Sequence, residues 1–338
     1  MPNFLLLFNL LLAFLSFKEL KVQSNGTKIN GVNLVSPTKK VSLNCVISTN
    51  RINANWIALC PYAFMSPNNP NVEYNVPKNW WGDKPEGISK LTAFAKANNQ
   101  KVLLKPHFWV DQQGWPGDFN LDAKNWKLWE NNYLNYMLKL ARLADSLNID
   151  MLSIGAEFKT ATQKRPQFWS SLIDSVRKVY QGKLIYAANW DEFDEISFWS
   201  KLDYIGIDAY FPISEEVTPT KEKMEKRWKR ISAALDVFSK KHKKKIIFTE
   251  YGYRSIDNCA WKQWEVEDAP IDKNVNMLAQ QNAYEALFNV VWEKSWFAGG
   301  FLWKWYPKDS ESGGLGNSDY TPQNKPSEKI IKKCYLSN

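Results

Sequence analysis

Two glutamates stand where chemistry would need them. In "DMLSIGAEFK" (150–159) an apolar run ends in Glu157, and in "KIIFTEYGYR" (245–254) another ends in Glu250. A carboxylate that closes an apolar strand has left the packed interior and faces a cleft or a rim. Two of them in one site can hydrolyse a glycosidic bond. One gives a proton to the leaving oxygen and later takes one from water. The other attacks the sugar carbon. The two roles need different pKa values, which their surroundings must supply. Taken alone, either glutamate could equally be a rim carboxylate or half of an ion pair.

The elements that must position them recur along the chain. Eight apolar runs read as strands: 29–35, 54–62, 101–110, 150–158, 183–190, 203–211, 245–253 and 299–306. Helical patterns fill most of the gaps. In 123–147, Trp126, Trp129, Tyr133, Tyr136, Leu140, Leu143 and Leu147 fall at steps of three and four, with Asp122 as N-cap. Further helices are expected over 219–241 and 275–293, and only a brief one over 191–202. Eight alternations of strand and helix imply parallel strands closed into a (β/α)8 TIM barrel, a single α/β domain over residues 28–338.

Alternate strand residues share a face, which gives each strand an inward set. For strand three it is Lys105, His107 and Trp109. For strand four it is Met151, Ser153, Gly155 and Glu157, with Leu152, Ile154 and Ala156 under the helices. For strand six it is Tyr204, Gly206, Asp208 and Tyr210. For strand seven it is Ile246, Phe248 and Glu250, and for strand eight Phe301, Trp303 and Trp305. Strand five is open between Asn189 and Trp190. Each set turns polar or aromatic at its carboxyl end, where barrel enzymes build their sites. Strands four and seven lie opposite each other, so Glu157 and Glu250 are expected in one pocket. The expected separation is about 5–5.5 Å, as in a retaining glycosidase.

Around the pair, His107, Asn189 and Asp208 are candidate partners for sugar hydroxyls, with a core residue the alternative for His107 and a pair with a neighbouring base the alternative for Asp208, and Tyr210 is a candidate hydrogen-bond donor to the strand-seven carboxylate. Trp109, Trp190, Trp303 and Trp305 are candidate sugar platforms. The chain is rich in such rings, with 17 Trp and 14% aromatic residues, and flat aromatics suit the C–H faces of sugars. Trp80 and Trp81, in the long loop 63–85, read as a stacking platform or a loop anchor. Loops 111–121 and 254–273 reach the same face.

Composition narrows the rest. The run 3–17, "NFLLLFNLLLAFLSF", is short for a bilayer span and fits an export signal covering residues 1–24, cleaved near Val22–Ser24. The product is then periplasmic, surface-held or secreted, with an uncleaved anchor as the alternative. The net charge is +9, concentrated in "KRWKR" (226–230) and "KKHKKK" (240–245). These runs read as a solvated helix face, and an exported chain has no nucleic acid to meet. The four cysteines include no CxxC and there are two histidines, so no metal or other cofactor is expected. Cys60 reads as a packed thiol, and Cys45 with Cys334 as a possible disulfide between the first and last helices. A monomer with no stable membrane span is expected.

"SIGAEF", "YIGIDAYFP", "FTEYGYRS" and "GGFLWKWYP", supported by "NANWIALCPYAF" and "KPHFWV", resemble glycoside hydrolase family 113. The likeness runs from "GVNLVSP" (31–37) to "DYTPQNKPSEKIIKKCY" (319–335). It implies a retaining β-1,4-mannanase on a (β/α)8 barrel, working by double displacement. It also implies Glu157 as acid/base and Glu250 as nucleophile, with His107, Asn189, Asp208, Tyr210 and Trp303 lining the pocket. Many members of the wider clan carry Asn just before the acid/base. Here Ala156 stands there, which leaves the sugar 2-hydroxyl to another donor, with Asn189 the candidate. The competing readings are a β-glycanase or transglycosylase on another backbone, and a non-catalytic carbohydrate-binding barrel.

Overall fold

The computed structural model describes residues 28–265 and 275–337. The proposed signal segment, and the part of loop 254–273 beyond Glu265, lie outside the described residues. Eight parallel strands close into a barrel. In chain order they are Ile29–Leu34, Trp56–Leu59, Lys101–Leu104, Met151–Ala156, Lys183–Asn189, Ile205–Asp208, Ile246–Tyr251 and Phe297–Trp305. They are called strands one to eight below. Strand one pairs with strand two on one side and with strand eight on the other, which shuts the ring. All eight expected strands are present. The run expected at 101–110 is divided, and that expected at 54–62 ends its barrel strand at Leu59. Tyr62–Met65, which takes the last residue of the run 54–62 and the start of the expected loop 63–85, and His107–Val110 form a separate two-stranded parallel ribbon on the upper face. Pro61 and Pro106 lie at the two breaks, where the ring nitrogen has no proton to give a ladder.

The helices follow their local signals. Ala123–Ser146 begins where the Asp122 carboxylate accepts the Asn125 N–H at 2.8 Å. Its stripe from Trp126 to Leu140 is buried. Pro85 and Pro166 open the helices Pro85–Ala97 and Pro166–Arg177 at the position where a missing N–H costs nothing. Lys221–His242 and Met277–Leu287 fill two more gaps, and Ser327–Leu336 closes the chain. The link after strand five holds only the short turn Trp199–Lys201, as its length demanded.

Two apolar layers result. A small inner cluster fills the barrel: Ile29, Ala58, Cys60, Leu103, Met151, Ile185, Ile247 and Phe301. A much larger one lies between strands and helices. Cys60 is thus a packed thiol. All four cysteines are thiols, so the Cys45–Cys334 disulfide is not formed.

The inner cluster also corrects the inward sets. In strand seven Ile247 faces in, while Ile246 and Phe248 face the helices. In strand four Gly155 faces out. A Cβ built on it would lie 3.0 Å from Trp169 and 3.1 Å from the Tyr133 hydroxyl, both on outer helices. Ala156 faces the cavity instead. The reason is the same in both strands: an extra residue breaks the two-residue period. Between Ser153 and Ala156 strand four advances three residues while strand five advances two. Between Ile207 and Asp208 strand six advances one residue while strand seven advances from Phe248 to Glu250. Strand eight carries a third such shift, from Leu302 to Trp305 against Val32 to Leu34.

Candidate active site

The irregularities sit just below the site and aim its side chains. In strand seven Glu250 points into the barrel although the simple alternation from Ile247 would turn it out. Thr249 turns inward too, its hydroxyl donating to Asp208 Oδ1 at 2.7 Å. The carbonyl of Thr249 receives the Asn33 amide from strand one at 3.1 Å. That buried amide compensates a carbonyl the bulge takes out of the ladder. In strand four the chain leaves the ladder through Glu157, whose φ of +54° lies in the left-handed region. A non-glycine residue there costs free energy, of order 1 kcal/mol or more, that its surroundings must repay. They do so with the Glu157 N–H on the Ala187 carbonyl at 2.8 Å and the Phe158 N–H on the Tyr186 hydroxyl at 2.8 Å.

Glu157 and Glu250 line one cavity of about 710 Å³ at the carboxyl ends of the strands. His107, Trp109, Asn189, Trp190, Asp208, Tyr210 and Trp303 line it as well. Trp305 does not. It is fully buried in the outer layer, its indole N–H on Ser48 Oγ at 2.9 Å and the Arg51 guanidinium 5.6 Å from its ring. The extra residue in strand eight separates the directions of Trp303 and Trp305. Trp80 is exposed and Trp81 packs on the core, and neither borders the cavity.

The two glutamates have unlike neighbours. Glu250 Oε1 accepts from Lys105 Nζ at 2.5 Å, and Oε2 from the Tyr210 hydroxyl at 2.6 Å. Lys105 is wholly buried and also donates to Asp208, at 3.0 and 3.2 Å. Burial alone would depress its pKa, but the Asp208 and Glu250 carboxylates outweigh it and the amine is held charged. Asp208 is pushed up to about 6 by burial and by Glu250, against the pull of Lys105. With its oxygens on Lys105 and Thr249, Asp208 serves as a buried ion-pair partner in the floor rather than a free hydroxyl acceptor. Tyr210 is pushed well above the usual phenol value by burial and by Glu250, so it remains a donor.

Among the described residues, no cation touches Glu157. Its Oε2 accepts from the Trp115 indole at 2.7 Å. Burial, followed by the negative charges of Asp208 and Glu250, raises its pKa well above the usual carboxylate range. His107 lies with its Nε2 3.4 Å from Glu250 Oε1, yet that nitrogen makes no hydrogen bond. Burial, with Lys105 nearby, lowers its pKa to about 3, so the ring is neutral and no ion pair forms. It stacks on Trp303 at 5.5 Å and 12°.

Strand five resolves by giving both candidates. Asn189 Oδ1 accepts the Trp190 N–H at 2.9 Å, which leaves its amide protons as donors to the cavity. Trp190 stands 6.1 Å from Trp264, which is about half exposed. Among the contributors that alternation does not single out are Trp115, Trp264 and Lys105. Trp115 and Trp264 lie in loops, where no periodicity assigns a direction. Lys105 was placed inward but given no role, although a lysine amid barrel-interior apolar residues is itself a signal. Among the described residues, no group of three or more His, Cys, Asp or Glu could hold a metal, and no helix is long and apolar enough to cross a membrane.

Residues 33–325 match the family described as Glycoside Hydrolase Family 113. Among solved structures, the GH113 β-mannanase from Alicyclobacillus acidocaldarius in complex with ManMIm superposes with a TM-score of 0.79 at 23% identity, covering 92% of this chain and 98% of that one. A GH113 β-1,4-mannanase gives 0.79 at 23% identity, over 93% of this chain and 100% of that one. A β-glucuronidase from Ruminococcus gnavus gives 0.62 at 11% identity, over 91% of this chain and 50% of that one. At these identities the likeness establishes the barrel. No curated protein matches the chain.

Proposed function

The chain belongs to glycoside hydrolase family 113, and from that premise we propose that it is a retaining β-mannanase with Glu250 as nucleophile and Glu157 as acid/base. One observation carries the assignment: the two carboxylates share a cavity but, among the described residues, only Glu250 has a cation in contact. A nucleophile must be ionised and an acid must hold its proton. Lys105 and Tyr210 favour the charged form of Glu250. Burial without a cation favours the protonated form of Glu157.

In the first step Glu250 attacks the anomeric carbon while Glu157 protonates the departing oxygen. The bond between sugar and leaving group breaks, and a glycosyl ester on Glu250 forms. In the second step Glu157, now a carboxylate, takes a proton from water. The oxygen of that water attacks the same carbon, and the electron pair of the ester bond returns to Glu250. Mannan is the substrate that the names of the structural neighbours suggest. Ala156 offers no hydrogen bond to the sugar beside the acid, so the Asn189 amide takes the 2-hydroxyl. Export is part of the same reading, supported by the apolar run 3–17.

The test is reducing-sugar release from mannan, glucomannan, cellulose, xylan and laminarin, with wild type beside Glu250→Gln, and proton NMR of the first anomer formed. Cleavage of mannan with retained configuration, lost in the variant, supports the whole reading. Cleavage of another polymer corrects the substrate alone. Inverted configuration overturns the double displacement. A folded protein that binds glycan and cuts nothing is a binding barrel.

A further inference from the structure

The buried lysine raises a separate question: why does one ammonium serve two carboxylates? Lys105 reaches the site from strand three, and its amine contacts Asp208 on strand six and Glu250 on strand seven. It is 0% exposed, and Asp208 is 1% exposed. If Lys105 served only to balance Glu250, one pair would suffice and Asp208 would add an unneeded buried charge.

The reaction itself supplies the reason. Resting on the double displacement above, we propose that Lys105 and Asp208 form a standing ion pair that positions Glu250 and keeps a charged partner on Lys105 while Glu250 is esterified. In the free enzyme the ammonium faces two carboxylates. When Glu250 bonds to the anomeric carbon its charge is consumed, and the leaving group departs with the Glu157 proton. A lysine whose only partner was Glu250 would then be a buried, uncompensated cation, which is strongly unfavourable. Asp208 prevents that. When water breaks the ester, the returning charge on Glu250 meets an ammonium already in place.

Among the described residues Asp208 is the carboxylate left in contact with Lys105 once Glu250 is esterified; Glu157, a carboxylate after its proton has gone, makes no ion-pair contact with the ammonium. The titratable groups facing Lys105 are Asp208, Glu250, Glu157, Cys60, Tyr62, Tyr210 and His107. Cys60, Tyr62 and Tyr210 are each driven by burial toward their protonated, neutral forms, and His107 is neutral. Thr249 and the Lys105 amine hold Asp208 from two sides, so its carboxylate keeps one orientation throughout.

Three variants test this: Lys105→Met, Lys105→Arg and Asp208→Asn, each checked by circular dichroism and thermal melting. The probe is 2,4-dinitrophenyl β-mannobioside, or the same aryl derivative of whichever glycan the wild type cuts. With such a leaving group, kcat/KM reports ester formation and kcat reports ester breakdown. Lys105→Met should lower kcat/KM by about 100-fold or more and move the acid limb of its pH profile upward, since buried carboxylates ionise less readily without their cation. Lys105→Arg should recover part of the rate and keep the acid limb near that of wild type.

Asp208→Asn strands the ammonium only in the ester, so kcat/KM should fall by about tenfold or more while kcat falls less. Equal loss in kcat and kcat/KM for Asp208→Asn, with unchanged pH limbs in the Lys105 variants, would overturn the proposal and leave the pair a structural one. If Lys105→Met does not fold, the kcat split in Asp208→Asn decides alone. A wild type inactive on every glycan would sink the enzymatic reading instead, so the two failures are distinct.

Discussion

The ends of strands four and seven hold the same side chain and treat it in opposite ways. Glu250 is gripped at both oxygens, by the Lys105 amine and the Tyr210 hydroxyl. Among the described residues Glu157 keeps one donor, the Trp115 indole, and otherwise meets burial and the negative charges of Asp208, Glu250 and Glu192. Each strand reaches this state through an extra residue, yet with different outcomes. In strand seven the extra residue lets both Thr249 and Glu250 face inward, onto groups the barrel interior supplies. In strand four it throws Glu157 out of the ladder into a left-handed turn, above the charged floor. In the proposed double displacement, distance from one buried cation is what would separate the nucleophile from the acid.

The largest way to break that contrast is to neutralise each carboxylate in turn. Glu250→Gln should lower activity by on the order of 10⁴-fold or more on every substrate, since no leaving group relieves the need for a nucleophile. Glu157→Gln should lose about 10²–10⁴-fold on mannan but far less on a dinitrophenyl glycoside, whose leaving group needs no proton for ester formation. Adding azide should speed breakdown of the Glu157→Gln ester and yield a β-glycosyl azide, because azide attacks without a general base. If Glu250→Gln is the variant rescued in this way, the two roles are exchanged.

Trp115→Phe sharpens the same comparison at smaller scale. The indole donates to Glu157 and so favours its ionised form. Removing it should raise the already elevated pKa further and move the basic limb of kcat/KM upward, with a loss of rate smaller than that of Glu157→Gln. A downward shift would mean that the indole bonds to the protonated acid instead.

Most of this architecture could be read from the chain, and the failures have one cause. Strand existence followed from apolar runs between helical patterns, and the carboxyl ends showed their polarity plainly. Direction along a strand was read from a period of two. The period holds through strand six, where Tyr204, Gly206, Asp208 and Tyr210 lie as expected. It fails where an extra residue enters, and three of the strands that build the site contain one. Glu250 was placed inward by counting from Ile246, which in fact faces out. The bulge at Thr249 reversed the error. Trp305 had no such correction and lies in the outer layer. Bulges carry no composition signal comparable to a cap or a turn, so alternation alone could not reveal them. The contact between Lys105 and Asp208 spans 103 residues, and its direction rests on barrel closure rather than on either local stretch.

The smallest effect concerns the side of the site around Glu157, the proposed acid. Glu192 follows strand five, is 1% exposed, and accepts the Asn189 N–H at 2.9 Å through Oε1. Its Oε2 is buried without a partner. Burial pushes its pKa up to about 7, from 4.5 for a free side chain. The folded protein therefore binds this proton more tightly than the unfolded chain does. Below pH 4.5 both states are protonated and the residue has no pH-dependent effect. From there to pH 7 stability falls as the unfolded chain ionises first, and above pH 7 the loss is constant. Glu192→Gln removes the titration while keeping an acceptor for Asn189. It should match wild type near pH 4 and exceed it at pH 8 by up to about 3 kcal/mol, read as a gap of several degrees in Tm. The charge on Glu192 also helps to raise Glu157, so the same variant should draw the basic limb of kcat/KM slightly downward, opposite to Trp115→Phe. A Tm gap that stays flat from pH 4 to pH 8 would show that Glu192 does not titrate in the fold, and would leave Asp208 and Glu250 as the negative charges acting on the acid.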